Sequence, residues 1–288
     1  MSRIAVLGTG AMGFRVAQNL IHANHQVVVY NRTADKVMAL VNQGAAYAAT
    51  PKEAAEQAEI VISMVTDSNA SRGIWLDQET GAVMGLKEDA IAIESSTLTV
   101  DWVKGLGVEI LNRGVAFLDA PIVGSRPQAD AGKLIYLVGG KGETLTQAQN
   151  ILLSAGASTI HHVGDIGQGM AMKLAVNALF GIQVAALAEI IGMLNKNGIN
   201  AAKAMECLGD LPVISPAAKN AGKLMLMDNH SPMFPIDLVE KDFRYMAQTA
   251  EAVDAPTPAS NAIRDIYLNA IALGYGKENI TGVVRLFM

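Results

Sequence analysis

Short apolar runs alternate with helical stretches over the first 163 residues, and no other feature restricts the fold as much. The β-rich runs lie at 4–7, 26–30, 60–64, 90–93, 116–118, 135–138 and 159–163, with helical stretches at 12–21, 34–41, 100–111 and 143–153 between them. Strands separated by helices of this length pair in parallel, because each crossover helix returns the chain to the same end of the sheet. From residue 164 the texture changes: no run reads as a strand, and Ala, Leu and Met recur at helical spacing. Pro212, Pro216, Pro232, Pro235, Pro256 and Pro258 divide this half into helices. The expectation is an α/β fold, a doubly wound sheet domain over 1–163 followed by an all-α domain over 164–288. A long helix over 167–194, roughly 40 Å at 1.5 Å per residue, could reach into another domain or a partner subunit.

Composition narrows the function classes. Hydrophobic residues make up 51% and charged residues 17% of 288, which implies large buried faces, between domains or in a homodimer or homotetramer. A net charge of -5 gives no basis for binding nucleic acid or an anionic membrane. The apolar stretch 170–194 has the length of a membrane span, but Lys173, Asn177, Gln183 and Glu189 interrupt it. It reads as a buried helix. The apolar run at 3–7 is too short for a signal-peptide core, so a cytoplasmic protein is expected. One cysteine, Cys207, excludes an internal disulfide and multi-cysteine zinc sites; beside Ala204, Met205 and Leu208 it reads as a small core residue. His22, His25, His161, His162 and His230 have neither zinc-like spacing nor a paired nucleophile, so they read as structural or surface residues, and no metal is expected.

The segment Gly8-Thr9-Gly10-Ala11-Met12-Gly13 places G-x-G-x-x-G directly after the first strand and at the start of a helix. Gly8 would allow the tight turn, Gly10 the approach of a pyrophosphate, and Gly13 close helix–strand packing, while the helix N-terminus attracts negative charge. In this context a Rossmann-type dinucleotide site outweighs a plain glycine-rich turn. The second strand ends Tyr30-Asn31-Arg32-Thr33. A carboxylate at this position would grip the ribose hydroxyls of NAD, whereas Arg32 can pair with the 2′-phosphate of NADP. NADP(H) is therefore the expected cofactor, with NAD(H) possible. An exposed turn with Thr33 as a helix N-cap is compatible with either.

Taken in order, these residues resemble the β-hydroxyacid dehydrogenase family over nearly the whole chain. The resemblance rests on the glycine loop with Met12-Gly13, then Ser96-Thr97, Asp119-Ala120-Pro121, Gly167-Gln168-Gly169 and Lys173 with Asn177. It continues through Phe234, Lys241-Asp242 and the segment from Gly274 to Glu278. It implies reversible hydride transfer between a nicotinamide and a small carboxylate-bearing substrate, with Lys173 as proton donor and acceptor and Asn177 as a substrate-binding residue. Four residues apart on a helix, Lys173 and Asn177 share one face. Reduction of a carbonyl needs a proton at oxygen, which an ammonium can give, and burial would lower the lysine's pKa toward neutrality. Without the resemblance, the same pair reads as a snorkelling lysine and a polar interface asparagine. The resemblance also implies cofactor contacts at Met64, Val65, Thr97 and Lys241, which otherwise read as strand-end core, a helix cap and an exposed helix charge.

The substrate loop departs from the family pattern D-A-P-V-S-G-G. Here Asp119-Ala-Pro-Ile is followed by Val123-Gly124-Ser125-Arg126, so Val123 stands where a serine hydroxyl is usual. Ser125 could supply a replacement hydroxyl and Arg126 a charge for the carboxylate, although Arg126 reads equally well as a solvated loop residue. The continuation through Gly132 to Leu134 is most similar to the glyoxylate/succinic semialdehyde reductase branch. The expected activity is NADPH-dependent reduction of small aldehyde or keto acids. The apolar Val123 suggests an imine or bulkier-carbonyl reductase instead, and a non-catalytic NADP-binding sensor or scaffold is the alternative of another class.

Overall fold

The computed structural model describes residues 1–288, which divide into two compact units, Met1–Lys173 and Leu174–Met288. In the first unit, β1 (Arg3–Leu7), α1 (Ala11–His22), β2 (Gln26–Tyr30), α2 (Met38–Val41) and β3 (Ala46–Tyr47) come first. There follow α3 (Pro51–Glu56), β4 (Ile60–Ser63), α4 (Ser68–Leu76), β5 (Ile91–Glu94), α5 (Val100–Leu111) and β6 (Ala116–Asp119). The unit continues through β7 (Ile122–Val123), α6 (Arg126–Asp130), β8 (Leu134–Gly140), α7 (Gly142–Ser154) and β9 (Ala157–Gly164) to the start of α8 (Gln168–Lys196).

The sheet order is β3-β2-β1-β4-β5-β6-β8-β7, with β9 on β8. Strands β3 to β6 are parallel, β8 runs antiparallel to β6 and β7, and β9 is parallel to β8. The chain winds outward in both directions from β1, so the loop after β1 lies at the carboxyl edge where the strand order reverses. The central strands are buried on both faces, as continuous runs such as Ile60-Val61-Ile62 require.

Several short elements have no counterpart in the sequence pattern. Two-residue β3 and β7 carry no readable period, and α4 buries only Ser71 and Trp75, leaving no apolar stripe. Its start is set instead by Asp67, whose side chain accepts from Ala70 N at 2.8 Å. The stretch 34–41 forms a 3₁₀ turn, Ala34–Val37, followed by the single α-turn α2. The change of texture near 163–167 and the division of units at 173 differ because the first turn of α8 is bonded into the sheet unit through Asp119.

The second unit holds the rest of α8, then α9 (Ala201–Gly209), α10 (Pro216–Leu226), α11 (Ile236–Glu251), α12 (Pro258–Ala272) and a closing 3₁₀ segment, Ile280–Leu286. Pro216 and Pro258 occupy first turns, where a missing N–H costs nothing, and Pro235 is the N-cap of α11. Its core gathers Val184, Ala185, Ala188 and Ile191 of α8 with Val239, Phe243 and Tyr267. Gly181 admits the Phe243 ring, and the Tyr267 hydroxyl donates to Gly181 O at 2.8 Å. By length and composition α8 could cross a membrane, yet one of its faces, including Val184, Ala185, Ala188 and Ile191, is packed into the core of this unit. Cys207 is exposed, contrary to expectation. The buried positions of α9 are Ala204 and Met205, with Leu208 half-buried between them in angle, and Cys207 lies about a third of a turn from the middle of that stripe.

Candidate active site

The glycine loop has the geometry its sequence implies. Gly8 adopts φ +96°, and a Cβ there would collide with the Met64 carbonyl oxygen. A Cβ on Gly13 would strike Gly8 O, so this glycine lets α1 start hard against β1. At Gly10 a Cβ would meet nothing within 4 Å, so the mouth of the turn is open. Gly10 caps α1 without any side-chain hydrogen bond, leaving the first-turn N–H groups to an outside acceptor. The Thr9 hydroxyl is buried without a partner in the chain. Open space, uncapped donors and a positive helix end fit the pyrophosphate of a dinucleotide.

Asn31 ties this loop to the next. Its Oδ1 accepts from Thr9 N at 3.2 Å, and its Nδ2 donates to Thr33 O at 3.0 Å. A carboxylate in its place could not make the second bond. Thr33 occupies the N-cap of the 3₁₀ turn, but its side chain makes no capping bond. Arg32 beside it is exposed and takes part in no salt bridge.

At the ends of β4 and β5, Val65 N donates to Ser96 Oγ at 2.8 Å. Met64 is buried, and Thr97 is half-buried. Thr97 is not the cap of α5; that position belongs to Thr99. Behind these residues lies Glu94, which the sequence reading passed over. Its Oε2 accepts from Ser71 Oγ at 2.7 Å and Trp75 Nε1 at 2.8 Å, and its Oε1 accepts from Ser96 N at 2.9 Å. Trp102 Nε1 donates to Ser71 Oγ at 2.9 Å, so both tryptophans of the chain feed this carboxylate. Burial pushes the Glu94 carboxyl above the usual range, opposed by the bonds from Ser96, Ser71 and Trp75. A charged residue closing an apolar strand immediately before Ser95-Ser96-Thr97 was the available sequence signal.

Beside Glu94 in the parallel register stands Asp119, the last residue of β6. Its two oxygens accept from Gly167 N at 2.8 Å and Met170 N at 2.7 Å, and burial pushes its carboxyl upward while these bonds oppose it. It thereby caps α8, the helix that carries Lys173. Lys173 is 8% exposed and engaged in interactions within the protein. Asn177, one turn further along α8, is half-buried and donates through Nδ2 to Asp242 Oδ2 at 2.6 Å. The other oxygen of Asp242 lies 3.1 Å from Lys241 Nζ. Lys241 is therefore no exposed helix charge. It is buried, ion-paired with its neighbour and lies 4.9 Å from the Tyr245 ring centroid. One N–H of Asn177 is committed to Asp242, leaving its second N–H and its carbonyl oxygen for other partners.

In the substrate loop, Val123 is half-buried and pairs with Ile135 across β7 and β8. Gly124 takes φ +129°. The Ser125 hydroxyl donates to Gln128 Oε1 at 2.7 Å, and the same oxygen accepts Ser125 N at 3.0 Å. That hydroxyl is thus occupied at the start of α6. Arg126 is exposed at the first helical position. His230, the one buried histidine, is hydrogen-bonded to Thr281 through Nδ1 at 3.0 Å, with Asp228 Oδ1 lying 3.1 Å from its Nε2.

Two family models match, one after the other. Residues 3–164 match the NAD-binding domain of 6-phosphogluconate dehydrogenase, and residues 167–287 the NAD-binding domain of NADP-dependent 3-hydroxyisobutyrate dehydrogenase. The chain belongs to the β-hydroxyacid dehydrogenase family. It is an NAD(P)-dependent oxidoreductase of the hydroxyacid dehydrogenase type, with a nicotinamide dinucleotide as cofactor and a small molecule as substrate. Glyoxylate/succinic semialdehyde reductase 2 of Arabidopsis thaliana is 31% identical, covering 98% of this chain and 78% of the relative. The 3-sulfolactaldehyde reductase of Escherichia coli strain K12 is also 31% identical, covering 99% and 95% respectively. A solved Mycobacterium tuberculosis 3-hydroxyisobutyrate dehydrogenase with L-serine superposes with a TM-score of 0.91 at 25% identity, covering 99% of each chain.

Proposed function

We propose that this protein reduces small aldehyde or keto acids with NADPH, and runs in reverse as a β-hydroxyacid dehydrogenase, with Lys173 as the proton donor. The observation that carries the reading is a lysine buried to 8% exposure, on a helix capped by a carboxylate, one turn before an asparagine fixed by Asp242. When bound, the reduced nicotinamide supplies a hydride to the carbonyl carbon. Gly8, Thr9, Gly10, Ala11, Met12 and Gly13 would hold the pyrophosphate, with Asn31, Arg32 and Thr33 at the adenosine ribose. By the family resemblance, Met64, Val65, Thr97 and Lys241 would supply the remaining cofactor contacts. Lys173 Nζ gives its proton to the carbonyl oxygen as negative charge develops there, and takes it back in the oxidative direction. Asn177 directs its remaining N–H to the same oxygen, its amide plane held by Asp242.

Arg32 supports NADPH over NADH, since an exposed guanidinium with no salt-bridge partner is suited to bind a phosphate. The substrate class is supported by the relatives named for glyoxylate, succinic semialdehyde and 3-sulfolactaldehyde reduction. Each of those compounds joins an aldehyde to an acid group. Val123, Gly124, Ser125 and Arg126 form the loop assigned to the acid group, with Arg126 the cation free to approach it, because the Ser125 hydroxyl serves α6. Val123 itself favours a second reading, in which a bulkier carbonyl or imine takes the place of the acid.

The test is NADPH oxidation with glyoxylate, succinic semialdehyde, 3-sulfolactaldehyde and a cyclic imine, for the wild type and Lys173→Ala. Turnover of the acids is expected to fall about 10²–10⁴-fold in the variant, with NADPH affinity retained. Unchanged turnover would remove Lys173 from the chemistry, and turnover of the imine alone would select the second reading.

A further inference from the structure

We infer that Asp119 is a positioning residue whose carboxylate, clamped on the first turn of α8, sets the rotation and depth at which that helix presents Lys173. The inference rests on Lys173 being the proton donor.

The clamp grips two donors at once. Oδ1 takes Gly167 N at 2.8 Å and Oδ2 takes Met170 N at 2.7 Å, so the carboxylate bridges the N-cap residue and the third residue of the helix. A side chain holding one donor would let the helix pivot; one holding both fixes its rotation. Two glycines line the slot around the carboxylate. A Cβ on Gly139 of β8 would collide with Oδ1, and one on Gly169 of α8 would stand 2.9 Å from Oδ2 and strike Leu137 O. Helix and strand therefore close directly on the carboxylate. Finally, Lys173 lies three residues beyond Met170, about 4.5 Å further along the axis and back on nearly the same face. A rotation error at Met170 is passed to Lys173 almost undiminished, because the intervening turn is rigid.

Charge acts in the same direction. An anion at a helix N-terminus is stabilised by the first-turn N–H groups. Asp119 has no counter-ion in any salt bridge, so those backbone groups are what hold it. An asparagine can present only one acceptor oxygen, and its NH₂ would face one of the two N–H donors.

The experiment is a double-mutant cycle between Asp119→Asn and Lys173→Ala, scored by kcat and by NADPH affinity from quenching of tryptophan emission. Asp119→Asn is expected to lower kcat about 10- to 100-fold, the scale of a misplacement near 1 Å, with NADPH affinity within about 2-fold of wild type. In the Lys173→Ala background the same change should lower the residual rate less than about 3-fold, because the group it positions is gone. Equal effects in both backgrounds would overturn the inference while leaving Lys173 as the donor. A Lys173→Ala enzyme with wild-type turnover would instead overturn the donor assignment itself. Asp119→Ser, a smaller helix cap, is run alongside. If both Asp119 variants lose NADPH binding and the folded baseline, Asp119 is a folding residue and the positioning role is rejected.

Discussion

Replacing Glu94 by glutamine exchanges one buried acceptor oxygen in the first unit for an NH₂ group with almost no change of shape, and the surrounding polarity dictates the outcome. Trp102 donates to Ser71 Oγ, so the Ser71 hydroxyl must turn its own hydrogen toward Glu94 Oε2. Trp75 can only donate, and it reaches the same oxygen. That position must remain an oxygen in the Glu94→Gln variant, which forces the new NH₂ group to the site of Oε1, opposite Ser96 N. One buried backbone N–H loses its acceptor and meets another donor, at a cost of about 1–3 kcal/mol. Against a total stability of about 5–15 kcal/mol that is readily measured. Guanidinium unfolding followed by tryptophan emission suits the case, since both tryptophans belong to the network and report on this unit. The pH dependence has a definite sign. Burial raises the folded carboxyl above its model value of 4.5, so the folded state holds the proton more tightly than the unfolded chain. Its contribution is complete below 4.5 and declines as pH rises through the folded pKa. The gap between wild type and Glu94→Gln should therefore narrow over that window. A variant as stable as wild type near 4.5, or a gap that widens upward from 4.5, would refute the reasoning. Because Ser96 also receives Val65 N, the KM for NADPH should rise as well.

Two further outcomes test the assignments. Arg32→Ala should raise the KM for NADPH about 10- to 100-fold, the equivalent of a charge-assisted phosphate contact of about 1.5–3 kcal/mol, while leaving NADH nearly unaffected; equal effects on both would defeat NADP preference. Val123→Ser should lower the KM for acid substrates about 2- to 10-fold, the worth of one net hydrogen bond. No change would remove position 123 from the acid-binding loop, and a loss of activity would favour the bulkier-substrate reading.

Much of this protein is legible in one dimension because the features involved are local. Gly8-Thr9-Gly10-Ala11-Met12-Gly13 announces its turn because φ +96° at Gly8 and the closeness of Gly13 to Gly8 O are steric demands that glycine alone satisfies. The interior strands show because burial on both faces leaves unbroken apolar runs, and the prolines at 216 and 258 show because a first helical turn tolerates a missing N–H. Lys173 and Asn177 share a face through helical periodicity alone. What the chain could not disclose are the long-range partners. That Glu94 gathers Ser71, Trp75 and Ser96, that Asp119 reaches 48 and 51 residues ahead to Gly167 and Met170, and that Asn177 gives its amide to Asp242, 65 residues on, became visible only in three dimensions. Cys207 departs from its expected burial for the same reason, since its helix could have turned either neighbouring face inward. A buried polar group must find a partner, but which one it finds is decided by how strands and helices come together, and sequence spacing holds no record of that.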